Sequence, residues 1–187
     1  IHVQFRFIFM FDKHLLVLTE KTLLPVAKAL VLLNISANKV TICGFILGCF
    51  GVLCICQNLY FMGLIFILLN RLCDGLDGLV ARLTLPSDFG AFLDITLDFM
   101  FYALVPLSFI WSDPNQNSLP GIILIVSFFG TGCSFLAFAI LAERRNLHDI
   151  NFSKKGIRFF ESFMEGGETI FFFSIMCLLP NFFPYIA

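Results

Sequence analysis

Between Val40 and Asn70 the chain carries no charged residue. That run exceeds the roughly 20 apolar residues needed to cross a bilayer once, and Gln57-Asn58 interrupt it near its middle. A hairpin of two membrane-spanning helices is the direct reading. Backbone N–H and C=O groups in hydrocarbon must be satisfied inside their own segment, which a helix does. Composition agrees. Of 187 residues, 59% are hydrophobic and only 13% are charged, against about 25% charged in soluble chains. Mean hydropathy is +0.93, and the 26 Phe suit a lipid-facing surface. A soluble domain is excluded. A formal charge of −1 gives no reason to expect a nucleic-acid partner.

The rest of the chain divides in the same way. The first span is expected at about 39–57, the second at 59–83 and the third at 88–111, with Trp111 as an interfacial anchor. A polar loop, Ser112–Ser118, precedes a fourth span over Leu119–Ala142. A charged loop, Glu143–Lys155, leads to a fifth span at about 158–179, ended by Pro180. Upstream, Phe11–Asn34 mixes Asp12, Lys13, His14, Glu20, Lys21 and Lys28 with Leu and Val. That mixture suits an amphipathic helix lying at the membrane surface. His2–Phe9 resembles neither a signal peptide nor a clean helix, and Met10 is the expected start of translation. The expected fold is therefore an all-α integral membrane protein. Residues 1–35 form a juxtamembrane segment, and 36–187 form a bundle of about five transmembrane helices. The seven Cys lie in apolar stretches without metal-ligand spacing and read as reduced packing residues.

Charge distribution sets an expected orientation. All 12 Lys and Arg fall between Arg6 and Lys39, in the second span, or between Arg144 and Arg158. The connections near 57–58 and 112–118 contain none. By the positive-inside rule the N-terminus and the connection between the second and third spans face the cytoplasm.

Into this apolar chain the sequence inserts four aspartates: Asp74-x-x-Asp77-Gly78-x-x-Ala81-Arg82-x₇-Gly90-x-x-x-Asp94-x-x-x-Asp98. Ionisable residues at membrane depth are costly and mark a functional site. On a helix Arg71, Asp74, Gly75, Asp77, Gly78, Ala81 and Arg82 share a face about 160° wide. Gly90, Asp94 and Asp98 fall within about 80° of one another on the next. A turn at 84–87 makes these helices antiparallel neighbours, so two acidic faces can meet. Carboxylate oxygens suit a hard cation, Mg²⁺ or Mn²⁺, which also relieves their mutual repulsion. Gly78, Ala81 and Gly90 remove bulk where a base, a ribose or a neighbouring helix comes close. Arg82 offers a planar fork for phosphate. Metal, Arg and a base carboxylate are the parts of phosphoryl transfer. Two other readings are open: Asp–Arg pairs that only brace a bundle, and a cation or proton transporter with an acidic relay.

This order of residues resembles the CDP-alcohol phosphatidyltransferases, integral membrane enzymes that make phospholipid head groups. The resemblance covers about 35–180. Ser36-Ala37-Asn38-Lys39-Val40-Thr41 also resembles the family's Pro-Asn-x-x-Thr element at the start of the first span, with Ala37 in place of Pro. By position, the resemblance implies that Asp74, Asp77 and Asp94 ligate metal. It implies that Asp98 takes the proton from the acceptor hydroxyl and touches metal as well, and that Gly78, Ala81, Arg82 and Gly90 line the nucleotide with Asn38 and Thr41. The implied reaction is CDP-diacylglycerol plus an alcohol giving a phosphatidyl-alcohol and CMP. Its alternative is a CDP-alcohol donor with diacylglycerol as acceptor. A homodimer and a bacterial inner-membrane location, with the site facing the cytoplasm, are implied too. Family members usually have six spans. Thr169–Ala187 suffices for only one span and its exit, so a sixth helix is expected to be missing, through truncation or loss.

The acceptor is least legible. Arg144, Arg145, Lys154, Lys155 and Arg158 lie on the cytoplasmic side in this topology. They serve topology alone, at about 1 kcal/mol each near anionic lipid, or they bind the phosphate of a phosphorylated polyol acceptor. Glu165-Gly166-Gly167-Glu168 reads first as a helix start or as ion-pair partners of that cluster, and His14 and His148 as surface residues.

Overall fold

The computed structural model describes residues 22–144 and 166–187, which are helical throughout apart from short connections. Helix α1 covers Thr22–Leu32. It is followed by α2 (Ala37–Cys56), α3 (Tyr60–Leu83), α4 (Asp88–Ser112), α5 (Pro114–Arg144) and α6 (Gly166–Leu178). A 3₁₀ turn at Pro180–Phe182 and a last short helix, α7 (Phe183–Ile186), complete the chain. The all-α membrane bundle read from the sequence is the fold. By length and composition α2, α4 and α5 each suffice to cross a membrane, and α6 with the segment after it makes a fourth if counted as one span. Helix α3 is also long enough, about 36 Å at 1.5 Å per residue, but carries Arg71, Asp74, Asp77 and Arg82 from its middle to its end.

Local chemistry explains the joints. Asn34 and Asn58 adopt left-handed φ of 57° and 63°, a conformation that Asn tolerates better than most residues. Each closes its helix in the same way. Ile35 N–H bonds Leu30 O and Asn34 N–H bonds Val31 O, while Leu59 N–H bonds Cys54 O and Asn58 N–H bonds Ile55 O. These are Schellman ends. At the start of α4 the Ser87 hydroxyl accepts the Gly90 N–H at 3.0 Å, an N-cap.

One expectation needs correction. The polar loop expected at Ser112–Ser118 is almost entirely helical, with only Asp113 between α4 and α5. Asp113 caps α5 by accepting the N–H groups of Asn115 and Gln116 at 3.2 and 3.3 Å. Pro114 then occupies the first helical position, where its missing N–H costs nothing. Asn117 is buried and donates to Phe109 O at 2.8 Å. The polar residues are caps and bridges. The helix of the fifth span ends just before Pro180, as expected, and the chain turns there by 113° into the final helix. The expected start of that span lies outside the described residues, as does Phe11–Lys21 of the expected N-terminal helix.

Packing divides the chain into two units, one containing the described residues up to Leu47 with Leu69–Thr96, the other Gly48–Leu68 with Leu97–Ala187. In the first, Ala27 of α1 is fully buried against Leu79 and Val80 of α3, flanked by Leu23, Leu30, Val31, Ala37 and Leu76. Gly75 leaves the space that Leu23 uses: a Cβ there would lie 3.3 Å from Leu23 Cδ1. Helix α1 is therefore docked on α3, while Val26, Leu32 and Leu33 remain exposed. Helices α2 and α3 meet at Gly44, whose carbonyl accepts the buried Asn70 amide at 3.0 Å. The second unit is packed by rings. Phe109 stacks on Phe183 at 4.7 Å and on Tyr60 at 5.7 Å. Phe101, Tyr102, Phe128 and Phe173 form a further cluster of ring contacts.

Candidate active site

The charged half of α3 runs into the turn Thr84–Ser87, which returns the chain along α4. Thr84 closes α3 by bonding Val80 O through both its N–H and its hydroxyl. Ser36 starts α2, its carbonyl accepting the Lys39 N–H. The ends of three helices thereby enclose a cavity of about 330 Å³. Its wall includes Asn38 and Thr41 from α2, Asp77, Gly78 and Ala81 from α3, and Gly90 and Asp94 from α4. Seven residues singled out in the sequence thus share one cavity.

Asp77 is its most telling member. It is 5% exposed, and its Oδ2 is buried without a hydrogen-bond partner. A buried carboxylate oxygen left unpaired is expensive, and such a group is explained by a catalytic role, a bound water or an ion. Asp74, one turn earlier on α3, pairs with Arg71 at 3.0 Å. It also offers a carboxylate oxygen within 4.8 Å of one from Asp94 across the α3–α4 turn. That separation suits two oxygens on one small cation, and the donor set is hard oxygen throughout. Asp98 lies one turn beyond Asp94 on α4 and is half-buried; residues four apart share a helix face.

The small residues differ in what they make room for. Around Gly78 the space a side chain would take is open apart from Arg82 Nη1 at 3.8 Å, so this glycine widens the cavity. Gly90 is crowded: a Cβ would lie 2.9 Å from Asn38 Oδ1 and 3.1 Å from Ser87 Oγ. Arg82 is exposed at the end of α3, off the cavity wall. Arg144 is exposed at the end of α5 in the other unit. Arg145, Lys154, Lys155 and Arg158 lie outside the described residues, as does Glu165. Sequence reading did not assign Ser36, Ala37, Thr84, Leu85, Pro86, Ser87 and Ala91 to the site, and these complete the wall. A Ser immediately before a helix beginning with Asp was a legible capping signal for Ser87. Nothing in the residue pattern marks the turn as part of a wall.

Comparison with known proteins bears on this site. Residues 34–183 match the family described as CDP-alcohol phosphatidyltransferase. The chain is 41% identical over 174 residues to the "Inner membrane protein YnjF" of Escherichia coli (strain K12), covering 93% of this chain and 84% of the relative. It is 37% identical over 81 residues to an "Uncharacterized protein" of Aquifex aeolicus (strain VF5), covering 42% of this chain and 41% of that one. No solved structure matches it.

Proposed function

The chain belongs to the CDP-alcohol phosphatidyltransferase family, and from that premise we propose that it moves the phosphatidyl group of CDP-diacylglycerol onto an alcohol and releases CMP. The observation that carries this reading is the cavity in which Asp77, Gly78, Ala81, Gly90 and Asp94 meet, with a buried carboxylate oxygen left unpaired. Family membership supports transfer of a substituted phosphate from a CDP-linked donor. CDP-diacylglycerol as that donor, the metal, the acceptor and the residue roles are our proposal.

In this reading Asp74, Asp77 and Asp94 hold Mg²⁺ or Mn²⁺. The residues fit that group, since Asp77 has an unpaired buried oxygen and Asp74 and Asp94 bring theirs within 4.8 Å. When bound, the cation supplies charge stabilisation for the reacting phosphate and the leaving CMP. The chain's own residues do the rest. Gly78 and Ala81 keep the wall shallow for the nucleotide, and Asn38 and Thr41 face it from α2. Arg82 sets its guanidinium fork toward a phosphate at the mouth. Asp98 accepts the proton of the acceptor hydroxyl as oxygen attacks the lipid-bearing phosphorus and the bond to CMP breaks. Arg144, with Arg145, Lys154, Lys155 and Arg158, is assigned to the phosphate of a phosphorylated polyol acceptor.

Lys39 and Arg82 lie beside the cavity end of α2 and α3, and the positive-inside rule puts that end in the cytoplasm. The name of the Escherichia coli relative places that protein in the inner membrane. We assign this chain the same location, as a homodimer.

The test is release of CMP from labelled CDP-diacylglycerol by membranes containing the protein, across a panel of acceptors with and without a phosphate. Expected is turnover that EDTA abolishes and Mg²⁺ or Mn²⁺ restores. Asp77→Asn should fall by at least the ~100-fold that follows loss of a metal-site partner. Turnover only with CDP-alcohols and diacylglycerol would reverse the donor assignment. Turnover unchanged in EDTA would end the metal assignment.

A further inference from the structure

Gly90 reads in the sequence as a residue kept small for substrate, but its surroundings point elsewhere. The space its side chain would take is held by the protein, by Asn38 Oδ1 at 2.9 Å and Ser87 Oγ at 3.1 Å. Ser87 is already engaged as the cap of α4. Asn38 is half-buried and lines the cavity, and its side-chain amide forms no hydrogen bond with any of the described residues. An Asn amide presents an acceptor and two donors in one plane, so its orientation decides what it can recognise.

We propose that Gly90 is a positioning residue that acts through Asn38: the missing side chain seats the Asn38 amide at the cavity wall, where it reads the polar edge of the donor's nucleotide. The identity of that ligand rests on the function proposed above; the seating of Asn38 does not. The steric argument is specific. A Cβ at 2.9 Å from Oδ1 overlaps the far end of a side chain with two free torsions, so the side chain swings and the backbone stays. In a helix, Ala is otherwise preferred over Gly. Gly90→Ala should therefore preserve the fold, displace the amide, and shift the Ser87 hydroxyl by no more than a few tenths of an ångström.

Purified protein in detergent micelles gives two independent readings. In the assay, Gly90→Ala should raise the donor KM ~10-fold, the scale of one or two lost hydrogen bonds. Acceptor KM and kcat should hold, and the thermal midpoint should not fall. Asn38→Ala should raise the donor KM by a similar factor. The double variant should be no worse than Asn38→Ala alone, because the glycine has nothing left to seat. Multiplying effects would overturn the proposal, since the room at Gly90 would then belong to the substrate. The second reading needs no substrate. In protein labelled with [¹⁵N]asparagine, Gly90→Ala should shift the side-chain NH₂ resonance of Asn38, identified by its loss in Asn38→Ala. An unmoved resonance overturns the proposal whether or not the wild type uses CDP-diacylglycerol. A shifted one upholds the seating even if that donor fails.

Discussion

The two packing units hold themselves together by opposite means. The unit without Asp74, Asp77 and Asp94 is filled by rings: Phe109 lies between Phe183 and Tyr60, and Phe173 meets Phe101, Tyr102 and Phe128. The unit with them is held by absences and single polar contacts: Gly44 against Cys73, Gly75 against Leu23, one amide from Asn70, and a small apolar cluster around Ala27. Large rings suit a scaffold in lipid. Hydrocarbon chains are as apolar as the side chains, so dispersion between well-matched surfaces, not escape from water, must supply the cohesion. Small residues suit the site. They let backbones approach and leave open volume beside the acids. The lesson is that the same membrane environment produces a filled region where nothing must enter and a lean one where a ligand must.

The sharpest way to break this comparison is to remove a ring. Phe109 is fully buried between two stacked partners. Phe109→Ala should cost about 2–3 kcal/mol, below the 3–5 of water-soluble cores because the water-transfer term is largely absent in lipid. The measurement is reversible unfolding in mixed micelles. Donor KM should be unchanged, as the lost packing lies in the other unit. A large rise in KM with little loss of stability would show that the rings serve the site.

The helix bounds and the acidic faces, though not this division, were legible before any coordinates. Gln57-Asn58 and Pro86-Ser87 punctuate apolar runs, so the bounds of α2, α3 and α4 could be read closely. The acids recur at three- and four-residue spacing, which fixes their face on a helix without further information. What failed has a common cause: polar residues have roles that only three-dimensional neighbours reveal. Asp113 and Asn117 look like a loop because they are polar, yet one caps α5 and the other is buried on Phe109 O. Pro180 was legible as the end of a helix, but not the 113° turn that follows it. Gly75 and Gly90 announce missing side chains, but not that Leu23 fills the first space and Asn38 abuts the second. The turn at Thr84–Ser87 was legible as the reversal that brings α4 back along α3, but not as part of the cavity wall, because its residues carry no ligand-binding pattern.

A middle-sized effect comes from crowding the lean unit. A Cβ on Gly44 would lie 2.7 Å from Cys73 Cβ, well inside carbon–carbon contact. Gly44→Ala gains helix propensity, about 1 kcal/mol, but forces α2 and α3 apart at an overpacking cost of about 1–3 kcal/mol. The net loss should be modest in stability and larger in activity, because Asn38 and Thr41 ride on α2 and Asp77 on α3. Cys73→Ala should not rescue it, since the overlap is with Cβ, whereas Cys73→Gly should. Rescue by Cys73→Ala would mean that the sulfur sets the helix spacing.

The smallest effect tests whether a polar contact matters where apolar packing is thin. Asn70 is buried, and its Nδ2 donates to Gly44 O at 3.0 Å. That carbonyl lies mid-helix in α2 and keeps its own N–H partner, so Asn70→Ala strands no acceptor. Side-chain hydrogen bonds between membrane helices average about 0.6 kcal/mol, and the loss should be of that size. The contact nevertheless sits at the level where Gly44 already brings the helices together. Asn70→Ala combined with Gly44→Ala should therefore cost less than the two alone, because helices already pushed apart have no bond left to lose. Strict additivity in a double-mutant cycle would show that the amide and the close approach act separately, and that the lean unit is braced at two points rather than one.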